Sequence, residues 1–248
     1  MLKEQNDQLK SQSTTNTAAN PAGEKVNMVA KMQSYIENNR KMVMGVSIAI
    51  IVIVIAVFLG KNWIEKSNAE KNSSASFALS KVLPYLMGND FDKALNGDKS
   101  VIVNGKPVLG LIEIVKNYEG TKPGKIAALY AGNCFVSLDK YAEAGKYFKI
   151  ATESESAVIK EGANAGLGVC SESEGKFEEA VQNYEKAILV AKTPGTRNKY
   201  EYFQGLCYEK LGQKEKAEKV YRDIIAENAS EFVGMAKGGL IRIGTIIE

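Results

Sequence analysis

The sequence predicts an all-α chain: a single N-terminal transmembrane helix, then a solenoid of helical hairpins with a C-terminal capping helix. Three observations carry that reading. Nineteen consecutive residues, Met42 to Gly60, carry no charge. Three segments of the second half fall into phase when the chain is laid on itself at a step of 36 to 37 residues. A further apolar-periodic segment follows the third copy, as stacked repeats require to cover their open end.

The uncharged stretch is about 28 Å long as a helix, close to the hydrocarbon thickness of a bilayer. Its run Ile48-Ala49-Ile50-Ile51-Val52-Ile53-Val54-Ile55-Ala56-Val57-Phe58-Leu59 is apolar on every side, whereas a buried core helix of that length is normally amphipathic. Residues 42–60 are therefore read as a span. Trp63 suits an interfacial anchor, and Arg40, Lys41 and Lys61 can reach head groups. The run reads as an uncleaved anchor rather than a signal peptide, because it exceeds a usual signal core and follows about forty polar residues. Lys25, Lys31, Arg40 and Lys41 before it, against Lys61, Lys66 and Lys71 after it, put the N-terminus inside.

Residues 1–24 are rich in Asn, Gln, Ser, Thr and Ala without apolar periodicity, which predicts a disordered tail. In the juxtamembrane segment 25–41, Val26, Val29, Met32 (or Met28) and Ile36 recur at helical spacing. Two readings stay open there: a helix lying on the membrane surface, and a polar helical lead-in to the span. Residues 61–120 read as a helical linker and a degenerate first repeat. Phe91-Asp92-Lys93-Ala94-Leu95 starts a repeat helix that Asn96-Gly97-Asp98 breaks. An inserted loop through Val101-Ile102-Val103-Asn104-Gly105-Lys106-Pro107 follows, with β-branched residues and a turn dipeptide, before a helix from about Val108 to Tyr118.

Residues 121–229 hold the three copies. The first contains Gly132, Cys134, Tyr141, Ala144, Phe148 and Ala151; the second Gly168, Cys170, Phe177, Ala180, Tyr184 and Ala187; the third Gly205, Cys207, Ala217, Tyr221 and Ile224. A small residue, a turn, then Ala and an aromatic one turn on: three phased copies of this pattern resemble the tetratricopeptide repeat (TPR), two antiparallel helices packed through small residues. The expected contact sets Gly132, Gly168 and Gly205 against Ala144, Ala180 and Ala217, with Phe148, Tyr184 and Tyr221 filling the space between hairpins. The cysteines follow the repeat register and read as small apolar core residues, reduced and buried. Residues 230–248, with Phe232, Val233, Met235, Ala236, Leu240, Ile243, Ile246 and Ile247, form the cap.

Composition narrows the function. Lys and Arg number 32 against 29 Asp and Glu, a net charge of +3 without a basic run, which gives no nucleic-acid surface. There is no His, and the three Cys lack a C-x-x-C spacing, which removes the commonest base and metal ligand. No phosphate loop, nucleophile elbow or dinucleotide fingerprint occurs. The expectation is a non-enzyme with no catalytic residue, metal, cofactor or small-molecule substrate. Its working surface is instead the concave groove that first-helix residues line at fixed offsets: Ile126, Leu129, Asn133, Val136, Ala165, Val169, Glu172, Lys199, Tyr202, Leu206, Glu209 and Lys210.

From about Ile36 onward the order of elements is similar to a bacterial family of membrane-anchored TPR proteins, the YfgM-like ancillary subunits of the Sec translocon. The resemblance lies in Glu37-Asn38-Asn39-Arg40-Lys41 before one span, Ala94-Leu95-Asn96-Gly97-Asp98, Tyr118-Glu119-Gly120-Thr121-Lys122, and three repeats. It implies a single-pass protein of the bacterial inner membrane with a cytoplasmic N-terminus and a periplasmic TPR domain. The implied partners are the Sec translocon, periplasmic chaperones and client chains being exported or inserted. The alternative is a structural subunit of an envelope complex in secretion, cell division or cell-wall coordination.

Overall fold

The computed structural model describes residues 21–245, so the disordered tail expected over residues 1–20 and the cap positions Ile246 and Ile247 lie outside the described residues. The chain divides into two units, Met1–Ile64 and Glu65–Glu248. In the first, α1 spans Pro21–Asn38 and α2, Arg40–Met87, begins after one intervening residue. Residues 21–24, assigned to the tail above, are the opening turn of α1. The uncharged stretch lies within α2, which continues past Gly60 without a break.

In the second unit the rest of α2 packs through Leu79 and Val82 into a core with Leu95, Leu111 and Ile114. Helix α3 covers Phe91–Asn96, β1 Gly97–Val103, β2 Lys106–Leu109 and α4 Leu111–Tyr118. The two strands pair antiparallel, which corrects the all-α expectation: the inserted loop is a β-hairpin. Its tip is Asn104-Gly105, both left-handed at φ 53° and 74°, the turn chemistry that matches strand twist. Because β2 occupies residues 106–109, α4 starts at Leu111 rather than Val108.

Three hairpins follow: α5 Lys122–Ser137 with α6 Tyr141–Thr152, α7 Ala157–Ser173 with α8 Phe177–Val190, and α9 Pro194–Lys210 with α10 Lys214–Glu227. Helix α11, Phe232–Arg242, packs on the last. Thr121 and Thr193 cap α5 and α9, their hydroxyls accepting from the N–H of Gly124 (3.0 Å) and Thr196 (3.2 Å); a proline in the first turn starts each helix without wasting a donor.

The three turns inside the hairpins share one construction. Asp139, Gly175 and Gly212 are left-handed, at φ 57°, 71° and 69°. The following N–H reaches back to Phe135, Ser171 and Tyr208 respectively, at 2.8, 2.8 and 2.9 Å, closing each first helix in a Schellman turn. Asn89, also left-handed, ends α2 in the same way, with Asp90 N–H donating to Tyr85 O at 2.9 Å. The end of α2 and α3 therefore make a hairpin turn of the repeat type, and the β-hairpin is what interrupts its second helix.

Candidate functional site: the concave face of the repeats

The repeat core is built from rings lying on glycines. A Cβ on Gly132, Gly168 or Gly205 would stand 2.5, 2.6 and 2.6 Å from the rings of Phe148, Tyr184 and Tyr221. This differs from the expected contact with Ala144, Ala180 and Ala217. Those alanines are fully buried, but the aromatic one turn later covers the glycine, because a flat ring needs the backbone of the facing helix exposed to it. The same rings also bridge to the next hairpin, as the sequence suggested. Phe148 lies on Gly166 and Tyr221 on Gly239, while Tyr184 meets the Phe203 ring with centroids 5.7 Å apart.

On the concave side these contacts leave a cleft of about 240 Å³. Its walls are Asn133 and Val136 from α5; Gly162, Ala165, Gly166 and Val169 from α7; and Lys199, Tyr200 and Phe203 from α9, over a floor of Phe148 and Tyr184. Five of the twelve residues read from the sequence are thus brought together: Asn133, Val136, Ala165, Val169 and Lys199. The cleft crosses the three helices obliquely, from the last turn of α5 to the first turns of α9. Fixed offsets miss Gly162, Gly166, Tyr200 and Phe203, since they assume that successive hairpins stack without rotation. No carboxylate lines the cleft, and Lys199 and Asn133 stand exposed at its rim. Tyr200 donates to the buried Glu161 carboxylate at 3.2 Å, and burial, then that neighbouring charge, pushes its hydroxyl up to about 12.

The other seven residues lie elsewhere. Ile126 and Leu129 are half-buried against the first core, the Leu129 side chain lying against Gly162 of α7. Tyr202 is only 7% exposed and packs among Phe203, Tyr221 and Phe232, centroids 5.9 to 6.1 Å apart. Leu206 packs at the edge of the same cluster. Lys210 is exposed at the end of α9.

Glu172 and Glu209 are engaged inside the fold. The buried hydroxyl of Tyr184 feels the nearby Glu172 charge, and that of Tyr221 donates to Glu209. Each carboxylate also takes a donor from the following element: the Cys207 thiol at 2.9 Å for Glu172, and the Arg242 guanidinium at 2.8 Å for Glu209. Burial, with these carboxylates as a second cause, raises both tyrosine hydroxyls well above the usual range. A signal for this was present. Tyr follows Glu by twelve residues in the second and third repeats, whereas in the first Phe148 follows Val136. One turn back the partners change likewise: Phe135 stacks on Tyr147, and Asn183 donates to Ser171 at 3.2 Å.

Tetratricopeptide-repeat family models match residues 162–194 and 204–230, which take in α7 from its second turn, all of α8, and the third hairpin from the middle of α9. Among solved structures, the TPR domain of Arabidopsis FLU is 28% identical over 42% of this chain and 92% of its own, with a TM-score of 0.38. MamA is 19% identical over 68% of this chain and 76% of its own, with a TM-score of 0.46. No curated protein sequence matches. The chain carries TPR repeats, and a TPR domain is a scaffold for binding other proteins.

Proposed function

We propose that this chain is a single-pass scaffold of the bacterial inner membrane, anchored through residues 42–60, with its N-terminus cytoplasmic and its TPR domain periplasmic. The concave cleft there holds a segment of an exported or inserting chain, or of a chaperone, beside the Sec translocon. The observation that carries the binding role is the cleft itself, apolar between helices, free of carboxylates and rimmed by Lys199 and Asn133. It suits an apolar side chain flanked by an acceptor or a carboxylate. In support of the anchor, the large apolar residues from Val46 to Leu59 are more than half exposed, and no part of the span is buried against the chain. In water that surface has no partner; in a bilayer it needs none.

A photo-crosslinking residue at Val136, in cells, tests the cleft. It should capture partners, and Val169→Lys should weaken the capture about thirtyfold, as expected for losing about 2 kcal/mol at a packed apolar anchor. Leu189→Lys, on the outer face at 78% exposure, should leave it unchanged. Equal capture with Val169→Lys refutes the cleft as the binding surface. Protease added to spheroplasts tests topology: digestion of the repeats is expected, and their protection refutes it. Capture of one fixed stoichiometric partner would favour the envelope-subunit alternative.

A further inference from the structure

Helix α1 leaves one face uncovered. Met28, Val29, Met32, Tyr35 and Ile36 are 67, 59, 61, 57 and 43% exposed, and at about 100° per residue they share one side of the helix. Lys31, Gln33, Ser34 and Glu37 occupy the remainder. The stripe does not stop where α1 ends. Asn39 N–H donates to Tyr35 O at 3.0 Å and Asn39 O accepts from Val43 N–H at 2.9 Å, so the helical hydrogen-bond ladder passes through this residue into α2. The phase carries over with it. Positions 29, 32, 36, 39, 43 and 46 alternate steps of three and four, the spacing of a two-stranded coiled-coil seam. Asn39 is the one polar residue among them.

We propose that α1 pairs in parallel with α1 of a second copy of this chain, Asn39 facing its counterpart. The pairing rests on the anchor reading above, since two chains inserted with one orientation are held parallel and at raised effective concentration. Several observations favour this occupant over lipid. A helix whose ladder runs on into the span is carried away from the bilayer surface, and 18 residues reach about 27 Å beyond it. The two stripes offer on the order of 1,000 Å², about the smallest area a specific association uses. From Met28 onward the charges do not oppose it: flanking the seam, Met28, Tyr35 and Met42 on one side face Gln33 and Arg40 on the other; one step earlier the register reaches Lys25, which ends the apolar seam. Asn39 occupies the second of the two seam positions, its amide nitrogen donating to Tyr35 O at 3.1 Å and its amide oxygen left for the counterpart; shifting the register would set that oxygen against an apolar residue, which disfavours the slip.

The experiment uses the full chain in its own membrane, with single cysteines introduced and a mild oxidant added. Val29→Cys and Ile36→Cys should convert most of the chain to a disulfide-linked dimer. Ser34→Cys and Glu37→Cys, on the opposite face, should give no more than the unaltered chain, whose three native thiols are buried. Ile36→Glu should reduce the particle mass in mild detergent from twice to once that of the chain. Equal linking on both faces, or none, overturns the pairing, whether lipid or another protein then proves to cover the stripe. Alkaline carbonate extraction of the same membranes separates the two readings. Release of the chain refutes the anchor, whereas a retained chain without face-selective links refutes the pairing alone.

Discussion

Replacing Gly168 with Ala tests whether the repeat depends on a ring lying against bare backbone. The added Cβ would stand 2.6 Å from Cε1 and 2.7 Å from Cζ of Tyr184, where carbon atoms settle at about 3.5 to 4.0 Å. The ring must retreat by about 1 Å. It is 1% exposed, so the movement must be taken up by the side chains packed around it. Overpacking of this kind costs about 1 to 3 kcal/mol, which for a unit of this size lowers Tm by about 2 to 10 °C. Gly145→Ala is the matched control, since a Cβ there meets nothing within 4 Å; in a helix interior it should gain up to about 1 kcal/mol. The assay is thermal unfolding of a cycle with Tyr184→Leu, in which Gly168→Ala should lose most of its penalty once the ring is gone. An equal penalty in both backgrounds would refute the reasoning.

The β-hairpin contains a second measurable feature. Asp98 accepts from the Ser100 hydroxyl at 2.5 Å and the Ser100 N–H at 2.9 Å, which together hold its carboxyl down to about 2 from an ordinary 3.8. A lowered folded-state value stabilises fully above the unfolded value and is lost as pH falls through the folded one. Between about pH 4 and 2, Tm of Asp98→Asn should therefore fall less steeply than that of the unaltered chain, and parallel curves would contradict the assignment. The thiols give a further test: burial pushes Cys134 and Cys170 up to about 11, and Cys207, also bonded to Glu172, higher still. Iodoacetamide at pH 8 should leave all three unlabelled until the fold is opened by denaturant, and rapid labelling of the folded chain, or any Cys–Cys link, would show otherwise.

What could be read from the residues was whatever depends on neighbours within one hairpin. The step of 36 to 37 residues located the three turns and Gly132, Gly168 and Gly205, because each is a local contact repeated in phase, whereas the rings' second contacts, on Gly166 and Gly239, cross between elements. The Tyr–Glu pairs were equally local, twelve residues apart, but the reading of Glu172 and Glu209 as groove-lining residues ignored the hydroxyl that Tyr adds to Phe. The oblique course of the cleft was not legible, since it depends on how far one hairpin rotates on the next, and no single residue encodes that angle. Val101-Ile102-Val103-Asn104-Gly105 carried strand and turn chemistry, yet an isolated two-stranded sheet lies below the length at which periodicity separates a strand from a loop.

The carboxylates of Glu172 and Glu209 give the array a direction. Each takes a donor from the element that follows, Cys207 or Arg242, so a hairpin has an incompletely answered acceptor until its successor docks. A chain leaving the ribosome N-terminus first then finishes each unit only as the next emerges. Loosening runs the other way. Release of α11 removes Arg242 from Glu209 and Gly239 from the Tyr221 ring, and the third hairpin is the next to loosen. A protease acting on the native protein would trim it from α11 inward, leaving fragments that still contain α5 to α8.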